Sequence, residues 1–102
     1  MDYKSNGDGN ILIRTFKGTV TVDVILSSWE YVISNNLITQ NHIGVISDFR
    51  ETNLLVRRES VKIFENFYDE NIQLFKELKL AQIIDSPKII FPLVLENSYF
   101  KI

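Results

Sequence analysis

Asp48 and Asp85 are the residues whose type and placement best suit chemistry, because each follows a short apolar run that reads as a buried strand. Two carboxylates at the C-terminal edge of a parallel sheet, where open α/β sheets take their ligands, can hold a divalent cation or share acid–base work. The same aspartates also serve as strand terminators that bond to nearby backbone N–H groups, and this structural role is preferred. Phosphotransfer needs a phosphate cradle as well. The glycines, at 7, 9, 18 and 44, form no Gly-rich phosphate loop.

Ser60 and Ser86 each stand at an expected helix start. Backbone N–H groups and the helix dipole there favour an anion, or a phosphate added to the serine. For Ser60 the neighbours Arg57 and Arg58 would pair with that phosphate. Helix capping accounts for both serines without modification and is the preferred role. Asp48, Asp85 and Ser86 together define a candidate strand-end or anion site. His42 is the single histidine, and a base or metal ligand is its sharper role. Its place at the start of a strand, with no acid among its near neighbours in sequence, favours a strand-end surface residue. One histidine and no cysteine make a transition-metal site improbable and exclude disulfides, zinc–thiolate sites and thiol catalysis. No nucleophile elbow or catalytic triad can be assembled. Neither a metal nor a cofactor is expected.

The chain has 102 residues, 45% hydrophobic and 24% charged, with a formal net charge of −2. Those values fit one folded domain and not a disordered chain. Basic residues are scattered, with only Arg57-Arg58 adjacent, so no basic face points to nucleic acid. The first ten residues are polar and do not read as a signal peptide, and no apolar run reaches membrane-spanning length. A cytoplasmic protein is expected.

The elements that must position these residues follow from periodicity. Residues 2–5 and 11–17 read as a hairpin across Asn6-Gly7-Asp8-Gly9, with Arg14 and Phe16 on one face, Ile13 and Thr15 on the other, and Gly18 as the strand end. Val22, Ile25, Leu26, Trp29, Val32 and Ile33 fall on one face of a helix capped by Thr21 and ended by Asn35-Asn36. Residues 42–48 read as a strand covered on both faces. Residues 49–58 read as a loop, unusually apolar at Leu54-Leu55-Val56. A second helix is expected from Glu59-Ser60, with Val61, Phe64, Phe67, Tyr68, Phe75 and Leu78 on its buried side and a break near Asn71. The strand 80–84 and a helix from Pro87 to about residue 97 come next. The Ile, Phe and Val content of residues 88–95 makes a strand the alternative for that last element. Tyr99 to Ile102 can add a final short strand. The order β-β-α-β-α-β-α predicts an α/β domain: an N-terminal β-hairpin followed by βα units, with a mixed sheet of about four to five strands.

This pattern resembles the SpoIIAA-like, or STAS-like, domains (sometimes called STAS/Sec14-like). The resemblance is carried by the hairpin, the amphipathic helix, the strand ending Asp48-Phe49-Arg50, the long second helix and residues 80–87. It implies a single STAS-like domain over residues 1–102, lacking the usual closing strand and helix. The family includes anti-sigma-factor antagonists, which bind a partner kinase and are switched by serine phosphorylation at the start of a helix. The matching place is Arg58-Glu59-Ser60-Val61, which makes Ser60 the candidate phospho-switch. Here Glu59 stands where the family has aspartate, and no glycine follows. An apolar face left open by a short C-terminus would be covered by a second copy, so a homodimer is expected.

The leading expectation is a non-enzymatic regulatory or protein-interaction module. Its candidate interaction loop holds Phe49, Arg50, Leu54, Leu55, Val56, Arg57 and Arg58, whose apolar side chains either form a partner-binding lip or fold back onto the core. The alternative is a carrier of a lipid or another apolar small molecule, in a cavity between the sheet and the helices bearing Phe64 and Phe91. An enzyme using Asp48 and Asp85 ranks third.

Overall fold

A computed structural model describes residues 1–85 of the chain. The expectations for Ser86, for the helix or strand after Pro87, for Phe91 and for the final strand lie outside those residues. The N-terminal hairpin forms as its turn chemistry dictates. Strand β1 (Asp2–Ser5) pairs antiparallel with β2 (Ile11–Thr21). Asn6 fastens the turn: its Oδ1 accepts from the backbone N–H of Asn10 at 2.9 Å and of Ile11 at 3.1 Å. Strand β2 runs four residues beyond the expected end at Lys17. Gly18 sits inside it at φ 72°, a conformation that glycine adopts without steric cost, so the strand turns there without stopping.

Helix α1 (Val22–Ser34) begins where Thr21 accepts a bond from the Val24 N–H at 3.4 Å, and it buries Ile25, Ser28, Trp29 and Val32. Strand β3 then runs from Gly44 to Leu55. The expected loop over residues 49–58 is therefore mostly strand, and the reason is a β-bulge. Thr15 pairs with Asp48 and Lys17 with Glu51, so Phe49 and Arg50 together oppose Phe16 alone. The Thr52 hydroxyl closes the bulge by donating to the Phe49 carbonyl at 2.7 Å. The extra residue shifts the alternation: Val45, Ser47 and Phe49 point inward before the bulge, Leu54 and Val56 after it. A short 3-10 turn (Arg58–Ser60) leads into α2 (Val61–Glu70), which stops at Asn71 and resumes as α3 (Ile72–Phe75). Strand β4 (Lys79–Ile83) closes the sheet.

The result is a small α/β domain whose described residues form a four-stranded mixed sheet, ordered β1-β2-β3-β4. The β2–β3 and β3–β4 pairs are parallel. Arg14 of β2 reaches Ser28 of α1, and Trp29 of α1 meets Tyr68 of α2 and Phe75 of α3, so these three helices cover the same sheet face. Leu12, Phe16, Val20, Val45, Phe49 and Leu80 supply that face's apolar floor. The other face carries cross-strand rows set by register. One is Lys4–Ile13–Ile46–Ala81, and the next is Asp2–Thr15–Asp48–Ile83. Among the described residues no helix is long and apolar enough to cross a membrane.

Candidate functional site

The second of those rows builds a cleft. Register puts Asp2, Thr15 and Asp48 side by side on the outer face, and Asp85 follows two residues after β4 ends opposite Asp48. Because β3 continues beyond β4 through the bulge, Arg50 and Glu51 stand above the end of the shorter strand. The cleft has a volume of about 570 Å³, and Asp2, Lys17, Asp48, Arg50, Glu51 and Asp85 all line it. The two aspartates singled out from the sequence line one cavity, but Asp48 does not end its strand as expected: β3 runs on to Leu55, and only Asp85 stands past a strand end.

Asp48 is not a free carboxylate. Its Oδ1 accepts from the Arg50 backbone N–H and from Arg50 Nε, each at 3.0 Å, and its Oδ2 accepts from Arg50 Nη2 at 2.7 Å. The Asp48 side chain is 13% exposed and that of Arg50 59%. The guanidinium bond, joined by the backbone bond and the positive charge, holds the Asp48 carboxyl below its ordinary pKa against the opposing effect of burial. The same bond raises Arg50 above its ordinary value. A carboxylate fixed as an anion by its own guanidinium neither gives nor takes a proton near neutral pH. Among the described residues no group of three or more histidine, cysteine or acidic side chains is placed to hold a metal ion.

The sequence did not single out the residue with the most unusual surroundings. Arg14 lies in the floor of the core, fully buried. Its Nε and Nη2 donate to Ser47 Oγ at 3.1 and 2.7 Å, and its Nη1 donates to Ser28 Oγ at 3.2 Å. The guanidinium carbon sits 3.5 Å from the Trp29 ring centre and 5.1 Å from that of Phe16. Stacking and directed hydroxyls make a buried cation tolerable. The Tyr3 hydroxyl joins the network by donating to Ser28 Oγ at 3.1 Å. The signal was present: Arg14 lies between Leu12 and Phe16 in the period-2 pattern, a charge at the centre of an apolar face.

The candidate interaction loop is largely dismantled. Phe49, Leu54 and Val56 are buried in the core, and Phe49 stacks on Phe16 with ring centres 4.6 Å apart. Arg50 belongs to the cleft. What remains exposed is Leu55, at 52%, followed by Arg57 and Arg58. Ile63, in the first turn of α2, is 48% exposed and stands on the far side of the arginines in sequence. Ser60 is buried, and its side chain makes no capping bond, so the capping role expected for it does not hold. His42 is half-buried at the surface. Its Nδ1 accepts from the Thr39 N–H at 2.9 Å, which leaves Nε2 to donate to Ser5 Oγ at 3.1 Å.

No protein-family model, no curated protein and no solved structure matches this chain.

Proposed function

We propose that this protein is a non-enzymatic interaction module with a STAS-like arrangement, which engages a protein partner through the connection between β3 and α2. The observation that carries this reading is the exposure of Leu55 and Ile63 on either side of Arg57 and Arg58. Exposed apolar side chains interleaved along the chain with arginines have the composition of a protein-binding surface, and an acidic, partly apolar partner fits it. The STAS-like reading draws support from the antiparallel N-terminal strand, the two parallel pairs that follow it, and the helix that starts at this same connection.

Two further observations favour this reading over its competitors. Among the described residues the part of the space assigned to a lipid that lies next to Phe64 holds packed rings: Phe75 lies 4.9 Å from both Trp29 and Tyr68, each edge to face, and Phe64 is buried. One of the two carboxylates an enzyme would use, Asp48, is neutralised by Arg50. The test is affinity capture from the native host with the wild-type protein and with Leu55→Asp. A specific protein retained by the wild type and lost with Leu55→Asp, at unchanged melting temperature, supports the proposal. An identical set of captured proteins refutes it.

A further inference from the structure

Strand β1 is one of the two edges of the sheet among the described residues, and its outer edge adjoins an apolar patch. Met1, Val24 and Tyr31 are 49%, 39% and 51% exposed, and with Tyr3 they line one shallow depression of about 390 Å³ beside that edge. The Tyr3 and Tyr31 rings stack with centres 4.8 Å apart. An exposed edge strand next to apolar side chains is a template for strand addition.

The backbone decides which residues can bond outward. Asn6 N–H donates to the Ile11 carbonyl, so Asn6–Ile11 is a hydrogen-bonded pair of the hairpin. Antiparallel pairs alternate, which makes Lys4–Ile13 and Asp2–Thr15 hydrogen-bonded pairs as well. The N–H and C=O of Tyr3 and Ser5 therefore point away from β2, to the free edge. A two-fold pairing of β1 with a second β1 must match these outward residues with each other; an axis through Ser5 would oppose Lys4 and Tyr3 to the turn residues Asn6 and Gly7, which leaves axes through Asp2, Tyr3 or Lys4. Centring on Asp2 opposes two aspartates, and centring on Lys4 opposes two lysines. Centring on Tyr3 opposes Tyr3 to Tyr3 in the hydrogen-bonded position and Asp2 to Lys4, twice, in the flanking positions where side chains approach most closely.

We infer that β1 is a self-recognition edge: two copies of this chain pair through antiparallel β1 strands centred on Tyr3. The two sheets then join into one of eight strands, counting four from each copy. The Met1–Tyr3–Val24–Tyr31 patches come together across the axis, because strands in a sheet lie about 4.8 Å apart. A closed two-fold contact of this kind uses the same surface on both partners. It involves a different surface from the Leu55 connection, so the two proposals stand or fall separately.

Analytical ultracentrifugation over a concentration series tests it with three proteins: wild type, Lys4→Asp, and the double variant Asp2→Lys with Lys4→Asp. Asp2 and Lys4 are exposed, so these changes leave the core untouched. The contact is small, and the series runs to about 500 µM to capture weak association. The wild type is expected to dimerise. Lys4→Asp, which opposes aspartate to aspartate twice, is expected to raise the dissociation constant about tenfold or more. The double variant restores opposite charges with the order exchanged and is expected to return to within about threefold of wild type. A wild type that stays monomeric throughout overturns the inference. So does a dimer indifferent to Lys4→Asp, or a double variant that fails to recover.

Discussion

Ser47→Ala is the sharpest probe of the core. Ser47 Oγ accepts both Nε and Nη2 of Arg14, at 3.1 and 2.7 Å, in a site where Ser47 is 2% exposed and Arg14 fully buried. Removing one oxygen leaves almost no cavity, so the cost is electrostatic. Two guanidinium N–H groups lose their acceptor where water does not reach them. Hydrogen bonds to charged groups contribute about 1.5–3 kcal/mol, and an orphaned buried donor costs a similar amount. Because the two bonds share one acceptor, the loss is about 2–3 kcal/mol in total. A chain of 102 residues is stable by roughly 5–15 kcal/mol. The substitution therefore removes a large fraction, visible as a fall of about 10–20 °C in melting temperature. Urea unfolding of wild type, Ser47→Ala, Arg14→Met and the double variant closes a thermodynamic cycle. With the cation gone, Ser47→Ala is expected to cost less than about 0.5 kcal/mol, giving a coupling near 2 kcal/mol. If Ser47→Ala costs the same in both backgrounds, the serine does not act through Arg14 and the account of the buried cation is wrong.

Two further perturbations probe the sheet. Gly44 pairs with Lys79, and a Cβ placed there would lie 2.9 Å from the Lys79 carbonyl oxygen, an atom of the neighbouring backbone. Gly44→Ala must push β3 and β4 apart and is expected to cost about 1–3 kcal/mol; an unchanged urea midpoint would show that the strands yield freely. Asp48 has a folded-state pKa below its ordinary 3.8 because Arg50 bonds its anion. The unfolded chain then binds more protons at this site, so the contribution is full above that value and is lost as pH falls through the lower, folded value. Wild type is expected to lose more stability than Asp48→Asn between about pH 5 and pH 2.5, and parallel pH–stability curves would rule out a contribution from the pair.

The elements legible in the sequence are those whose determinants are local. The hairpin turn is fixed by Asn6 and its neighbours within five residues, and α1 by one apolar stripe and the Thr21 cap. The break at Asn71 was also readable. There the backbone N–H bonds back to Phe67 and Tyr68, and the side-chain amide donates to the Phe67 carbonyl at 2.9 Å, ending one helix before the next begins. The cleft shared by Asp48 and Asp85 was only half legible: Asp85 follows the end of β4, whereas Asp48 lies inside β3 and reaches the cleft because the shorter β4 ends opposite it. Arg14 was placed on the correct face beside Phe16 but not recognised as buried, because its burial depends on Ser28, Trp29 and Ser47, 14, 15 and 33 residues away.

The second half of β3 failed for a physical reason that reaches the functional question. An alternation test assumes that the phase is constant, and one inserted residue at the bulge reverses it between Phe49 and Leu54. Across the slip, inward residues stand at odd positions first and at even positions afterwards, so the whole stretch shows no period and looks like an apolar loop. Read in two halves, it is a strand with Phe49, Leu54 and Val56 inside and Leu55 outside. The same insertion turns Arg50 and Glu51 together toward the cleft, where the guanidinium neutralises Asp48. One residue thus turns Leu54 and Val56 into the core and brings Arg50 onto Asp48, one of the two candidate catalytic carboxylates, leaving Leu55 at the end of β3 and the arginines after it as the exposed connection on which the interaction proposal rests.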